Sequence, residues 1–213
     1  MRAVARNRIV TMSISKLVIK GFRSFREQSW SPGNLNVVIG PNASGKSNLL
    51  RVLELLQFAA RGGLGRYIQQ EGGMDAVLWD GQADQLRFSL ETPPPLPPYR
   101  DREKDALTYD LTLARLGTSS AYRVDYELLG NFYKVHLGEM REPFKLLERD
   151  PRHAVVFSPE LGRFEHLNTS TTTTTTTPDP SATKRVEASR NSVSEEETLL
   201  SAAGGPLSVE RAC

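Results

Sequence analysis

Hydrophobic and polar positions alternate at the start of the chain. Between Ser13 and Lys20, Leu17 and Ile19 point one way and Lys16 and Lys20 the other, which predicts a strand with one wetter face. Gly21-Phe22-Arg23-Ser24-Phe25-Arg26 reads as a turn or short strand, and Ser31-Pro32-Gly33-Asn34 as a turn. Leu35 to Ile39 (LNVVI) is short and mostly apolar, the pattern of a buried central strand. From Ser47 to Arg61 the period becomes helical. Arg51, Glu54, Gln57 and Arg61 form a narrow polar stripe, and Leu49, Leu50, Val52, Leu53, Leu56 and Ala60 occupy the remainder. A helix buried around most of its girth is expected, ended by Gly62-Gly63.

After the glycine-rich stretch 62–81 a period of two returns. Leu86, Phe88 and Leu90 alternate with polar residues, as do Leu107, Tyr109, Leu111 and Leu113, and again Tyr122, Val124, Tyr126 and Leu128. Phe132 to Leu137 is a candidate fourth strand. Consecutive alternating strands without helices between them predict an antiparallel meander with one apolar face. Thr92 to Pro98 (TPPPLPP) is a stiff loop. Beyond Phe164, the last aromatic residue, the apolar pattern fades, and Thr171 to Thr177 is an unbroken threonine run. Such a segment lacks the apolar surface to offset its ordering entropy. The expected organisation is an extension over 1–11, a lobe over 12–165 with an antiparallel β-subdomain at about 82–140, and a disordered tail over 166–213. Within that tail, 191–201 can form a short helix capped by Ser192 or Ser194, with Leu199 and Leu200 on its apolar side.

Composition narrows the function little. With 27 Lys and Arg against 25 Asp and Glu, the net charge of +2 gives no global case for nucleic-acid binding. Residues 1–30 do carry seven Lys or Arg against one acid, Glu27, either a local basic face or a solvated strand edge. Cys213 is the only cysteine, so neither an internal disulfide nor a cysteine metal site is expected, in keeping with a reducing cytoplasm. No run approaches the ~18 apolar residues of a membrane span, and no membrane partner is expected. Translation can start at Met1 or at Met12, just before the first patterned segment.

Between the apolar run and the helix lies Gly40-Pro41-Asn42-Ala43-Ser44-Gly45-Lys46-Ser47, which meets the pattern G-x-x-x-x-G-K-S. Its glycines allow successive backbone N–H groups to face inward as an anion nest, and the helix that follows aims its positive dipole end at the same place. Lys46 supplies a mobile charge for the β- and γ-phosphates and is the candidate catalytic residue. The Ser47 hydroxyl is the candidate Mg²⁺ ligand. ATP with Mg²⁺ is the expected ligand.

The stretch from Ile14 through Leu56 resembles the amino-terminal start of the RecF/SMC/OLD-type ATPases, a branch of the ABC-type P-loop ATPases. The carrying residues are Gly21-Phe22-Arg23-Ser24-Phe25, then Leu35 to Ile39, then Gly40 through Ser47 with Asn48-Leu49-Leu50. Pro41 and Asn42 inside the loop and Asn48 after it separate this group from transporter motors. Gly72 to Gly81 is similar to a segment of predicted ATPases of the group, and the resemblance extends over about 13–165. It implies an α/β fold: a P-loop NTPase lobe with a central mixed sheet, one buried P-loop helix, an antiparallel β-meander and an incomplete second lobe. It also implies that Arg23, Ser24 and Asn48 lie by the nucleotide, that DNA is a partner, and that two heads, or a head and a second lobe, associate around ATP.

The family's hydrolytic parts are not found. Hydrolysis there needs an apolar strand ending Asp-Glu, a Leu-Ser-Gly-Gly-type signature and a switch histidine. Val77-Leu78-Trp79-Asp80 comes too early and is followed by Gly81, leaving Asp80 a weak metal-side candidate. Val155-Val156-Phe157-Ser158 has no Asp, Ser201 to Gly205 lacks the signature's order, and His136, His153 and His166 follow no such strand. The economical expectation is the first lobe of a two-lobe head from a truncated product, a shifted reading frame or a split protein, binding ATP with little turnover alone. The alternatives are a non-catalytic nucleotide-binding module, a transporter motor fragment or a non-functional fragment.

Overall fold

The computed structural model describes residues 14–81, 83–93, 104–117, 120–133, 144–158, 161–170 and 192–203. The first pattern folds as read. Lys16–Phe22 is strand β1, with Leu17, Ile19 and Phe22 buried, and it turns at Arg23-Ser24 into β2 (Phe25–Trp30), an edge strand. The helix α1 (Lys46–Arg61) follows, then α2 (Leu64–Gln70), the single turn α3 (Met74–Val77) and a 3₁₀ turn over Trp79–Gly81. β3 (Gln85–Glu91), β4 (Lys104–Arg115), β5 (Tyr122–Tyr133), β6 (Phe144–Arg149), β7 (Ala154–Ser158) and β8 (Arg163–Ser170) come next. β9 (Ser192–Ser194) and helix α4 (Leu199–Ala203) close the described chain.

These strands make one nine-stranded sheet in the order β2-β1-β3-β4-β5-β6-β7-β8-β9, antiparallel throughout except for the parallel pair β8–β9. The fold is therefore mixed α/β built on an antiparallel sheet. Its main core joins the apolar side of β1, β3, β4 and β5 to α1, α2 and α3: Ile19, Phe88, Leu111 and Val124 meet Val52, Leu55, Ile68 and Met74. A smaller core gathers Leu147, Ala154, Leu167, Val193 and Leu199. Burying each such side chain is worth ~1.5–3 kcal/mol, so the sheet and α1 hold one another in place.

Four expectations are corrected. Leu35 to Ile39 is not a buried central strand: it joins no strand, and Leu35 and Ile39 are 86% and 87% exposed. A strand forms only against a neighbour that accepts its hydrogen bonds, and the segment has none among the described residues. The helix α1 is buried along one stripe, Val52, Leu55 and Ala59, rather than around its girth, and Leu50 is 67% exposed because no layer of the described residues covers that side. The meander's apolar face slips after Val124. The β4–β5 register shifts between Thr112 and Leu113, so that Leu111 faces Glu127 where Leu113 faces Val124. This bulge puts Glu127, not Tyr126 or Leu128, on the core face beside Leu111.

The fourth correction concerns the tail. β8 runs on to Ser170, and Ser192 to Ala203 is packed rather than free, with a helix at Leu199–Ala203 instead of 191–201. Thr198, not Ser192 or Ser194, caps it: its Oγ1 accepts from Ser201 N and donates to the Ala59 carbonyl of α1. Glu127 accepts from Leu199 N, Leu200 N and the Tyr109 hydroxyl. Arg149 donates to the carbonyls of Glu197 and Ser194. The Glu197 carboxylate in turn sits on the N–H groups of Gly63, Leu64 and Gly65 at the start of α2. Buried polar groups are tolerated because they are paired. The readings of 1–11, of the linker Pro94 to Pro98, of 134–137 and of Thr171 to Thr177 fall outside the described residues.

Candidate phosphate-binding site

The loop Gly40 to Ser47 lies at the start of α1, exposed at its apex, with local backbone features that only small residues allow. A Cβ at Gly40 would lie 2.8 Å from Ser44 Oγ, so the serine hydroxyl would have to turn aside for any larger residue. Ala43 and Gly45 take positive φ angles of 65° and 91°. Gly45 serves as N-cap in the left-handed region, and no side chain caps the helix nor does any acid stand in its first turn. The amino end of a 16-residue helix thus keeps its donors and its positive dipole free of protein anions.

Lys46 folds back over the loop. Its Nζ donates to the carbonyls of Gly40 at 2.7 Å and Pro41 at 2.6 Å and lies 3.5 Å from Ser44 Oγ. Ser47 is exposed at the second position of α1. A loop of this kind, with inward donors, a mobile ammonium and a neighbouring hydroxyl, is suited to the phosphates of a nucleotide.

The turn between β1 and β2 lies against this helix start. Ser24 Oγ accepts from Asn48 Nδ2 at 2.8 Å, and a Cβ on Gly45 would come within 3.0 Å of Ser24 Oγ and 3.1 Å of Phe25 Cε1. Ser24 and Asn48 are therefore brought together beside the loop. Arg23 is not aimed at the loop: at φ 48° its N–H bonds to Val77 and its guanidinium pairs with the Glu71 carboxylate, which also pairs with Arg51 at 2.5 Å. Glu71 carries no sequence pattern that marks it, and only the fold places it here. Asp80 lies in the 3₁₀ turn at φ 56°, not at the end of a strand. His153 pairs with Asp150 on the surface, His166 lies in β8, and His136 lies outside the described residues. Among the described residues no group of three or more His, Cys, Asp or Glu is placed to hold a metal, and no helix is long and apolar enough to cross a membrane.

Residues 12–61, from just before β1 to the end of α1, match the family described as the AAA ATPase domain, a shorter stretch than 13–165. The chain is also similar to the DNA replication and repair protein RecF of Moorella thermoacetica, 33% identical over 78 residues. That alignment takes in 36% of this chain and 19% of the relative, so the chain spans less than a fifth of the relative's length. Both matches agree with the loop's geometry and support a RecF/SMC-like AAA P-loop ATPase region at the amino-terminal part of this chain.

Proposed function

We propose that this chain binds ATP with Mg²⁺ through Gly40 to Ser47, as one lobe of a P-loop ATPase head. The observation that carries the reading is the helix start. It combines a glycine-shaped loop, an N-cap in the left-handed region, no acid in the first turn and Lys46 poised over the loop carbonyls. Lys46 would leave those carbonyls for the β- and γ-phosphates. Gly45 and the backbone from Pro41 to Ser44 would cradle them, and Ser24 and Asn48 would line the site. Mg²⁺ fits the donor set, because it keeps several waters and binds through substrate phosphates plus one or two protein oxygens, here the exposed Ser47 hydroxyl.

Two features support a lobe that acts with another. Leu35, Val37, Val38 and Ile39, directly before the loop, are exposed, as is Leu50 on α1 just after it, and such apolar surface gains by being covered. No Asp-Glu pair occurs anywhere in the sequence, so this chain offers no acid strand to orient an attacking water. A second lobe or a second head would supply the cover and the acid. A cytoplasmic setting, and a role in DNA repair or genome defence with DNA as partner, extend the reading by likeness to the RecF relative and by the basic residues of 1–30.

A purified chain is expected to show no steady ATP hydrolysis above a Lys46→Ala control in a phosphate-release assay. Sustained release that Lys46→Ala abolishes would sink the one-lobe account.

A further inference from the structure

Gly45 is the pivot of the loop. It is the N-cap of α1 at φ 91°, and its conformation aims the first N–H groups of the helix. A glycine enters that region without strain but also leaves it easily, because it populates both signs of φ. The turn between β1 and β2 walls Gly45 in. A Cβ there would lie 3.1 Å from Cε1 and 3.4 Å from Cζ of Phe25, and 3.0 Å from Ser24 Oγ, so ring edge and hydroxyl close the space beside the glycine. The wall is itself held from behind. Phe25 pairs with the fully buried Phe22 across the hairpin, and its partly buried ring packs against the main core. At the turn, the Arg23 N–H donates to the Val77 carbonyl at 2.9 Å, and Phe22 bridges to Leu78. Asn48, in the first turn of α1, donates to Ser24 Oγ and ties the helix to the same hairpin.

We infer that Phe25 is a positioning residue: its ring holds Gly45 in the left-handed N-cap conformation and so keeps the donors of the phosphate nest aimed before any nucleotide arrives. The inference rests on the loop binding ATP as proposed above. Phe25 acts through Gly45 and has no polar group to offer a phosphate. Its contribution is preorganisation, the conformational freedom of the glycine given up in folding rather than in binding. The ring suits this task because it is flat and stiff, with one side anchored on the core and one edge free to meet a backbone that carries no Cβ. A shorter or more flexible apolar side chain would preserve the hairpin and leave a gap beside the glycine.

Equilibrium titration of the full chain with fluorescent ATP and Mg²⁺, well below the melting temperature, tests this together with amide hydrogen exchange. Phe25→Leu is expected to weaken ATP binding about fivefold, the low end of what fixing one residue's backbone is worth. Without nucleotide, the same variant is expected to exchange faster over residues 45–49 but not over β1 and β3, and saturating ATP is expected to bring that stretch back to the wild-type rate. A merely structural role would leave the affinity at the wild-type value, or would speed exchange in β1 and β3 as much as in the loop, and either result overturns the inference. If Phe25→Leu fails to fold, Phe25→Met, which keeps the volume without the ring edge, decides by the same two readouts. A wild-type chain that binds no ATP, or binds it unchanged in Lys46→Ala, overturns the proposed function as well, whereas a Lys46-dependent affinity insensitive to Phe25 overturns only the positioning role.

Discussion

Lys46 and Glu127 show how differently single residues are constrained here. Lys46 is readable at once, because its place after Gly45 has a chemical reason, and the fold puts its ammonium on the loop carbonyls of Gly40 and Pro41. Glu127 looks like an ordinary polar position in an alternating strand. A bulge turns it into the core, where it is fully buried and accepts from Tyr109, Leu199 and Leu200. Burial pushes its carboxyl up from the usual range, and the backbone N–H groups, the Tyr109 hydroxyl and Arg149 only partly oppose this. With the folded pKa above the unfolded one, the folded state binds the proton more tightly. Ionisation then costs stability as pH rises through the folded pKa, and the cost is absent below the unfolded pKa. Glu127→Gln removes that titration. The melting temperature of the variant relative to wild type is therefore expected to rise as pH increases from below the ordinary glutamate range. A difference that stays flat with pH would mean that Glu127 does not carry this burden.

At the scale of elements, the segment from Ser194 to Ser201 clasps the carboxyl end of the helix whose amino end carries the glycine loop. Thr198 joins two jobs, capping α4 and donating to Ala59 of α1. Thr198→Ala is expected to cost about 1–2 kcal/mol, a lost cap plus a lost buried hydrogen bond, read as a lower denaturation midpoint with an unchanged slope. Unchanged stability would show that the clasp is not holding the helix. Elements with regular periodicity were legible: β1 through Leu17 and Ile19, β3 and β4 through their alternation, and α1 with its glycine stop at Gly62. Two kinds were not. Leu35 to Ile39 has a strand's composition, yet pairing partners decide whether a strand forms. Ser192 to Ala203 sits beyond a low-complexity run, and its order comes from reciprocal capping among Glu127, Arg149, Glu197 and Thr198, contacts distant in sequence. Local pattern carries no record of such pairs.

For the whole molecule, the loop at the start of α1 is exposed, directly after the exposed apolar run Leu35, Val37, Val38 and Ile39 and before the exposed Leu50. A complete site has walls on more than one side, and here one side is open. This open side is where, in the proposed reading, a second lobe or head would act. The loop itself was legible from Gly40, Gly45, Lys46 and Ser47, with Gly45 at a positive φ that favours glycine. The Arg23–Glu71–Arg51 trio was not, because α2 brings Glu71 there only in the folded chain. The most direct test of the account is equilibrium binding of fluorescent ATP in the presence of Mg²⁺ to the purified chain and to Lys46→Ala. The account expects saturable binding by the wild type and a loss of about 10–100-fold in the variant, the worth of a charge-assisted contact to phosphate. Binding that is absent from the wild type, or equal in the two proteins, would contradict it.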